Sequence, residues 1–351
     1  MASASVSVGH CVGPTISVII PVHNGEPWID ECLQSIIDQV IPAGTQLEIS
    51  AYDDASCDGT WPRLCEWQRV LEGRGIRTIL GRSEFGTAGG CGFAKNCAVS
   101  QSSGEWLCFQ DIDDIMLPGR IATQFAEALA YPGHLIGSRV RRAPDNSTER
   151  YTKWANGLSQ DELILHRFKE CTLLMPTWFM SRTDFNLAGA FQERDCEDLL
   201  MLHSHVSRGG GLRRAGQDPL VEYRFHENAA SHRISRKILL KLRVSLFEQQ
   251  ILGSQYGWVE FSIWGVGRDG RAFFQALSEA GRSRVKAFCD VNPRKIGGEY
   301  VFRKFRIPII HYKDVKAPFV TCVALDRTNG EFEANLASLG LFQGKHYYLF
   351  G

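Results

Sequence analysis

Three short apolar runs between residues 16 and 110 each end directly in a polar loop, and segments with helical periodicity separate them. The runs are Ile16–Ile20, Leu47–Tyr52 and Trp106–Gln110, and each has the length of a buried strand. This alternation is typical of a mostly parallel sheet with crossover helices. Because open α/β sheets bind ligands beyond the carboxyl ends of their strands, the three loops are predicted to border one crevice.

The third loop carries three carboxylates within four residues, at Asp111, Asp113 and Asp114. So much negative charge at one strand end is costly unless a cation shares it, and carboxylate oxygens suit a hard divalent ion that also takes phosphate oxygens. A solvated turn is the alternative, because Asp is common after strands. The loop is therefore a candidate metal site, and the neighbouring loops help to decide between this interpretation and a solvated turn.

The other two loops, Ile20–Gly25 and Asp53–Thr60, favour the metal site. Together the three loops resemble the nucleotide-sugar-binding half of the family 2 glycosyltransferases, which have the GT-A fold. The resemblance implies that Asp111 meets the ribose and Asp113 the metal, Mn²⁺ or Mg²⁺. Lys95 stands where that family has an Arg near the diphosphate, and Lys lacks the bidentate fork of Arg. The positions implied to contact the UDP-sugar donor are Pro21, Val22, His23, Asn24, Asp53 or Asp54, Lys95 and Asp111.

The reactive half is expected further along the chain, at Arg194–Leu200. This segment resembles the Glu-Asp motif of the same family, which implies that Asp198 is the catalytic base and Glu197 its neighbour or orienting group. An acidic first turn of an ordinary helix is the alternative. Trp178 is a candidate stacking face for the acceptor, although a core Trp is commoner.

The segment Tyr223–His226 resembles a Tyr-Arg-x-His motif of the family, in which the His ligates metal or touches the diphosphate. His226 is therefore a candidate metal ligand, and an imidazole ligand favours Mn²⁺ over Mg²⁺. The chain lacks the Gln-x-x-Arg-Trp motif of processive members, which favours transfer of a single sugar.

A second α/β unit is expected at the C-terminal end. Gly265-Val266-Gly267-Arg268-Asp269-Gly270 has the form of a dinucleotide-binding turn, and Asp290 stands where an acidic ribose contact would be. An oxidoreductase and a dinucleotide-sensing or RNA-scaffolding module are the rival interpretations, and an accessory Rossmann-like module is the favoured one. The predicted organisation is a tail at 1–15, a GT-A domain at 16–235, a helical linker at 236–257 and a Rossmann-like domain at 258–351.

The charges and cysteines bear on the acceptor. The 39 basic and 39 acidic residues balance, which excludes a uniformly basic nucleic-acid binder. Eleven cysteines without a Cys-x-x-Cys pair indicate free thiols in a reducing compartment, so a cytoplasmic protein without a membrane anchor is predicted.

Two basic segments flank the proposed acceptor half, although such runs are usually solvated faces. They include Arg139, Arg141, Arg142, Arg150 and Lys153, and then Arg208, Arg213, Arg214, Arg224, Arg233, Arg236, Lys237, Lys241 and Arg243. Both could bind a phosphate backbone, and Arg224 is a candidate acceptor contact. Over its whole length the chain resembles a tRNA-modifying branch of the family, which implies UDP-galactose as donor and tRNA(Tyr) carrying queuosine as acceptor. A UDP-N-acetylglucosamine donor with a β-galactoside acceptor is the alternative.

Overall fold

The computed structural model of the chain describes residues 13–84, 86–227, 229, 234–255, 257–325 and 328–351. Two sheets with associated helices lie in these ranges, which confirms the predicted α/β class and the second sheet in the C-terminal region. Residues 1–12 of the predicted tail and Arg233 of the second basic segment lie outside the described residues. No helix in the described ranges is both long and apolar enough to cross a bilayer.

The first sheet has the strand order β3-β2-β1-β4-β7-β6-β8-β5. Its strands are β1 Thr15–Val22, β2 Gln46–Asp53, β3 Arg77–Arg82, β4 Trp106–Phe109, β5 Ile115–Met116, β6 His134–Ala143, β7 Phe179–Ser181 and β8 Gly211–Arg224. β1 pairs in parallel with β2 and β4, so the carboxyl ends of these three strands meet at one edge. The three polar loops therefore start side by side, as their order in the sequence predicts.

Helices connect these strands and cover the sheet. They are α1 Ile29–Ile37, α2 Thr60–Gly73, α3 Cys91–Gln101, α4 Arg120–Ala130, α5 Glu149–Gly157, α6 Gln160–Leu165, α7 Arg182–Ala188 and α8 Glu197–Ser207. α1 buries Ile29, Cys32, Leu33 and Ile36, which share one helical face and join the core under β1 and β2. That face is the one that the spacing of apolar residues predicts.

The middle of the chain is more regular than its sequence suggests. β6 and β8 form a long parallel pair, with a shifted register near Arg139. The segment 175–185 forms a short 3₁₀ turn, then β7, then the start of α7. The antiparallel pairing of β7 with β4 places this segment inside the sheet.

The second sheet has the strand order β11-β12-β10-β9-β13-β14 and is parallel except for β11. Its elements are α9 Arg236–Phe247, β9 Phe261–Trp264, α10 Arg268–Ala276, α11 Glu279–Ser283, β10 Val285–Asp290, β11 Glu299–Phe302, β12 Phe305–His311, β13 Phe319–Thr321, α12 Glu331–Ala337 and β14 Tyr347–Leu349.

The chain divides into two compact units, 1–160 with 173–227, and 161–172 with 228–351. The stretch 161–172 thus groups with the C-terminal residues, whereas the predicted GT-A domain, 16–235, contains it. Within the second unit, Arg243 Nε donates to Phe168 O at 2.6 Å, and the Phe168 and Phe247 ring centroids lie 5.6 Å apart. These contacts between distant parts of the chain are not readable from sequence order.

The glycine turn of the second unit serves close packing. A Cβ atom on Gly270 would lie 1.8 Å from Gly265 O, so no larger residue fits there. Asp290 is buried and accepts hydrogen bonds from Val266 N and Asn292 N, and from Lys295 Nζ at 3.0 Å. The carboxylate expected to meet a ribose is thus engaged by the protein itself, in line with an accessory module rather than a dinucleotide enzyme.

Candidate active site

The acidic turn after β4 gathers carboxylate oxygens at one point. One oxygen from each of Asp111, Asp113 and Asp114 lies within 4.8 Å of the others. His226 Nε2, from the segment after β8, lies 2.8 Å from Asp113 Oδ2. The structure therefore brings together the two predicted metal ligands, Asp113 and His226, although they are 113 positions apart.

Asp114 is the member of this turn that sequence reasoning did not assign. It is fully buried, and its Oδ1 accepts a hydrogen bond of 2.9 Å from Arg224 N. Its Oδ2 is buried with no hydrogen-bond partner among the described residues. A buried carboxylate oxygen without a donor is costly, and a bound cation would satisfy it.

The electrostatics of the acidic turn also favour a bound cation. The pKa of Asp111 is raised to about 7, chiefly by burial and also by the charges of Asp113, Glu197 and Asp198, while Lys95 opposes the rise. Burial, together with Asp113 and Asp111, raises the pKa of Asp114 well above its ordinary value. Oxygen donors carrying this excess of negative charge fit Mg²⁺ or Mn²⁺, and the nearby imidazole fits Mn²⁺ better. Asp111, Asp113, Asp114 and His226 could hold such an ion.

Gln110 and Arg120 form a buried clamp that fixes the shape of the acidic turn. Gln110 Nε2 donates to Asp111 O and to Asp114 O, both at 3.0 Å, so one side chain ties the two ends together. Gln110 Oε1 accepts from Arg120 Nη1 at 2.6 Å, and Arg120 also donates to Phe109 O and Gln124 Oε1. Gln110 and Arg120 are fully buried. Gln110 adjoins the acidic loop in sequence, whereas nothing near Arg120 signals this role.

The first loop presents His23 and Asn24. His23 Nδ1 lies 2.6 Å from Asp54 O, and Asn24 Oδ1 accepts from Cys57 N at 2.9 Å. Asn24 has φ 51°, a left-handed conformation that Asn tolerates better than most residues. Both side chains are exposed at the crevice. The neighbouring Val22 side chain is buried, so any nucleotide contact from Val22 must come from its backbone, and Pro21 is half-buried.

The two carboxylates of the second loop face inward, contrary to the expectation that one of them meets the nucleotide. Asp53 Oδ1 accepts from Ser56 N at 3.0 Å, and Asp53 Oδ2 lies 3.1 Å from Arg82 Nε. Asp54 accepts from Gly89 N at 2.9 Å and Gly90 N at 2.8 Å. Because both side chains are buried and engaged, they shape the loop and hold the glycine-rich segment that leads into α3.

Lys95 connects the predicted donor and acceptor halves. Its buried Nζ donates to Glu197 Oε1 at 2.7 Å and lies 5.1 Å from the centre of the Phe191 ring. Burial lowers the pKa of Lys95, but the carboxylates of Glu197 and Asp111 outweigh it and raise that pKa above its ordinary value. Lys95 is therefore charged. A Cβ atom on Gly92 would lie 2.7 Å from Gln192 O, so this glycine lets α3 approach the segment before α8.

Asp198 lies in the first turn of α8, next to Glu197. It is half-buried, and its Oδ1 accepts from Leu199 N at 2.7 Å. The N-terminus of a helix favours an ionised carboxylate, as a base requires. Asp198 is close enough to Asp111 for its charge to affect the pKa of that residue.

Of the two predicted acceptor contacts, Trp178 is placed wrongly for that role. Its indole is fully buried, donates from Nε1 to Leu173 O at 2.9 Å, and stacks on Phe191. Arg224 lies over the Trp28 ring at 5.1 Å and pairs with Glu31, while its backbone N holds Asp114. Trp28 and Glu31, which sequence reasoning missed, thus border the acidic turn. Their signal is weak, because both stand at the start of an ordinary amphipathic helix.

Several known proteins have similar sequences. Residues 17–187 match the family described as Glycosyl transferase family 2. The poly(ribitol-phosphate) beta-glucosyltransferase of Bacillus spizizenii is 35% identical over 101 residues, which is 28% of this chain and 15% of that protein. An uncharacterized glycosyltransferase of Rickettsia prowazekii is 28% identical over 177 residues, 47% of this chain and 51% of that protein. This chain therefore spans about half or less of the length of these relatives.

Solved structures share the fold. Staphylococcus aureus TarS, residues 1–349 in complex with UDP-GlcNAc, gives a TM-score of 0.51 at 17% identity and covers 67% of each chain. The mannosyltransferase PcManGT from Pyrobaculum calidifontis, in complex with GDP-Man and Mn²⁺, gives 0.51 at 18% identity over 71% of this chain and 67% of that one.

The sheet has the fold of the solved glycosyltransferase structures, and just under half of the chain, residues 17–187, resembles the glycosyltransferase family 2. The predicted resemblance to that family is thus supported over residues 17–187.

Proposed function

We propose that the protein transfers galactose from UDP-galactose to queuosine at the wobble position of tRNA(Tyr), with inversion and one sugar per acceptor. The observation that carries the transferase part is the contact of Lys95 Nζ with Glu197 Oε1 at 2.7 Å. This contact joins Lys95, expected to bind the donor, to Glu197, the neighbour of the residue expected to activate the acceptor.

Asp198 is the proposed base. Its carboxylate accepts the proton of the acceptor hydroxyl, whose oxygen forms a bond to C1 of the sugar as the bond from C1 to the diphosphate breaks. UDP leaves on the opposite face, so the configuration at C1 inverts. Glu197 is paired with Lys95 and therefore orients this charged group rather than taking the proton itself.

Donor binding is assigned to the loops after β1 and β4. His23 and Asn24 are exposed for contact with the nucleotide, and Asp111 is the proposed ribose contact. Lys95 supplies positive charge near the diphosphate. A divalent cation held by Asp111, Asp113, Asp114 and His226 would stabilise the negative charge of the leaving diphosphate.

The acceptor rests on the resemblance of the whole chain to queuosine-tRNA galactosyltransferase, the β-1,3-N-acetylglucosaminyltransferase-like protein. The ten cysteines in the described ranges are free thiols, which accords with a reducing compartment where tRNA is present. The arginines of β6 and β8 supply positive charge on the acceptor half.

A second candidate is transfer of N-acetylglucosamine to a β-galactoside. The N-acetylglucosamine donor, though not the galactoside acceptor, is favoured by the poly(ribitol-phosphate) beta-N-acetylglucosaminyltransferase TarS of Staphylococcus aureus, which is 35% identical over 99 residues, 28% of this chain and 16% of that protein.

One incubation separates the two. Purified protein, Mn²⁺, total tRNA and a β-galactoside are combined with UDP-galactose or UDP-N-acetylglucosamine, and the products are analysed by mass spectrometry. A hexose added only to queuosine supports the first function. An N-acetylhexosamine on the galactoside supports the second, and no transfer with either donor contradicts both.

A further inference from the structure

A second polar cleft lies along the β6–β8 pair. It has a volume of about 390 Å³, within the usual range for ligand sites, and it is lined by Arg139, Arg213 and Arg214 together with Glu127, Gly216 and Gln217. Its residues do not include the acidic turn, which meets the opposite end of β8 through Arg224. The cleft is thus distinct from the proposed donor site.

A bulge in β8 creates the cleft. The pairing passes from Gly137–Arg214 to Arg139–Pro219, so five positions of β8 are matched by two of β6. The extra residues leave the ladder, and Gly216 adopts φ 63° within them. Such bulges redirect side chains, and this one turns the backbone of 216 and 217 towards Arg139, whose Nη1 donates to Gln217 O at 2.9 Å.

The cleft carries excess positive charge. Arg139 donates to neutral oxygens, Asn156 O at 3.0 Å and Gln217 O, and it forms no salt bridge within the described ranges. Arg213 pairs with Glu127 and lies over the Tyr131 ring at 3.3 Å. Buried Arg214 donates to Leu158 O at 2.6 Å. Three guanidinium groups therefore share the cleft with the single carboxylate of Glu127.

We propose that this cleft binds a phosphate of the acceptor's RNA backbone, an inference that rests on the proposed tRNA acceptor. A fixed, planar guanidinium fork recognises phosphate in a bidentate way, and backbone carbonyls here hold the forks in place. Ala143 of β6 pairs with Arg224, which lies beside the acidic turn. Arg139 precedes Ala143 by four residues, so the cleft and the acidic turn are about 13 Å apart along β6. This equals the axial rise of about four base pairs of a duplex, so one tRNA can reach both sites.

The test measures tRNA binding by fluorescence anisotropy across a range of salt concentrations. Arg139→Gln and Arg213→Gln should each weaken binding and lower the slope of log affinity against log salt by about 0.9, the value for one lost phosphate contact. The ratio of wild-type to variant affinity for tRNA should therefore fall about three- to four-fold as the salt concentration rises from ~50 to ~200 mM. Arg139→Lys should keep the slope, because the charge remains, while losing affinity with the fork.

Arg69→Gln is the matched control. It removes one exposed charge from α2, beside β3, which lies at the far end of the sheet from β6 and β8. It should change neither the affinity nor the slope. Binding of UDP with Mn²⁺, measured by calorimetry, should be the same in all these variants, which shows that the first unit remains folded.

The outcomes separate this inference from the proposed function. If the wild type modifies tRNA and the Gln variants keep its affinity and slope, the cleft assignment is wrong and the proposed function stands. Saturable binding of inorganic phosphate alone, with unchanged tRNA binding in the variants, would assign the cleft to a free anion and overturn the RNA proposal. A wild type that binds UDP but neither binds nor modifies tRNA overturns both.

Discussion

Replacing Gln110 by Met should remove the hydrogen bonds that hold the two ends of the acidic turn together, while keeping a side chain of similar length. The variant loses the two bonds from Nε2 to Asp111 O and Asp114 O, and it leaves buried Arg120 Nη1 without its acceptor at 2.6 Å. Neutral hydrogen bonds contribute about 1 kcal/mol each and a bond to a charged group about 1.5–3 kcal/mol, so a loss of about 4 kcal/mol is expected. At roughly 2–4 °C per kcal/mol for a unit of 150–250 residues, the thermal transition should fall by about 10 °C.

The same variant should weaken binding of UDP in the presence of Mn²⁺, because the carboxylates are no longer held in one place. Scanning calorimetry measures the first effect and titration calorimetry the second. Gln68→Met is the control, since it removes a single neutral bond, from Nε2 to Thr78 O at 3.0 Å, on the far side of the sheet. A Gln110→Met transition within about 2 °C of the wild type, with unchanged UDP binding, would refute the assigned role of the clamp.

Three further changes test other parts of the account. Asp113→Ala should lower the Mn²⁺-dependent affinity for UDP, and identical titration curves with and without the substitution would contradict its role as a ligand. Burial opposes ionisation of Glu48, but hydrogen bonds from Ser103 and Ser17 and the charge of Arg77 lower its pKa below the ordinary 4.5. Glu48 therefore stabilises the fold above about pH 4.5 and loses this effect as pH falls through its lowered pKa. Glu48→Gln should consequently destabilise the protein at pH 7 and progressively less in acid, and a pH-independent difference would count against this assignment. Gly270→Ala should unfold the second unit, because its Cβ would lie 1.8 Å from Gly265 O. The control Gly267→Ala, whose Cβ would have no atom within 4 Å, should cost about 1 kcal/mol or less. Equal stability of the two variants by circular dichroism would contradict the packing argument.

Local pattern was sufficient to predict the first half of the sheet. Short apolar runs that end in polar loops identify β1, β2 and β4, and the apolar spacing of α1 identifies its buried face. β8 could not be predicted in this way, because Gly211, Gly216 and Pro219 interrupt any alternation and its partner residues in β6 lie 77 to 81 positions earlier. Its pairing depends on tertiary contacts that a local pattern does not contain.

The candidate site shows the same limit. The acidic turn was found because its residue types suit a metal, and His226 because its segment resembles a motif of the family; the structure brings them together. Arg120 was not found, because its role depends on burial beside Gln110. Trp178 was assigned to the acceptor by residue type and Asp53 or Asp54 to the nucleotide by resemblance to the family, yet all three side chains are buried and bonded within the protein. Residue type indicates what a side chain can bind, and only packing decides whether it faces the ligand.

The most direct test of the proposed mechanism is galactose transfer to queuosine tRNA by Asp198→Asn, compared with Asp195→Asn, an exposed carboxylate three positions earlier. General base catalysis contributes about 10²–10⁴-fold, so Asp198→Asn should lower kcat by that factor while the Kd for UDP stays unchanged. Asp195→Asn should retain wild-type turnover. Full turnover by Asp198→Asn, with queuosine still modified at the wild-type rate, would contradict the account.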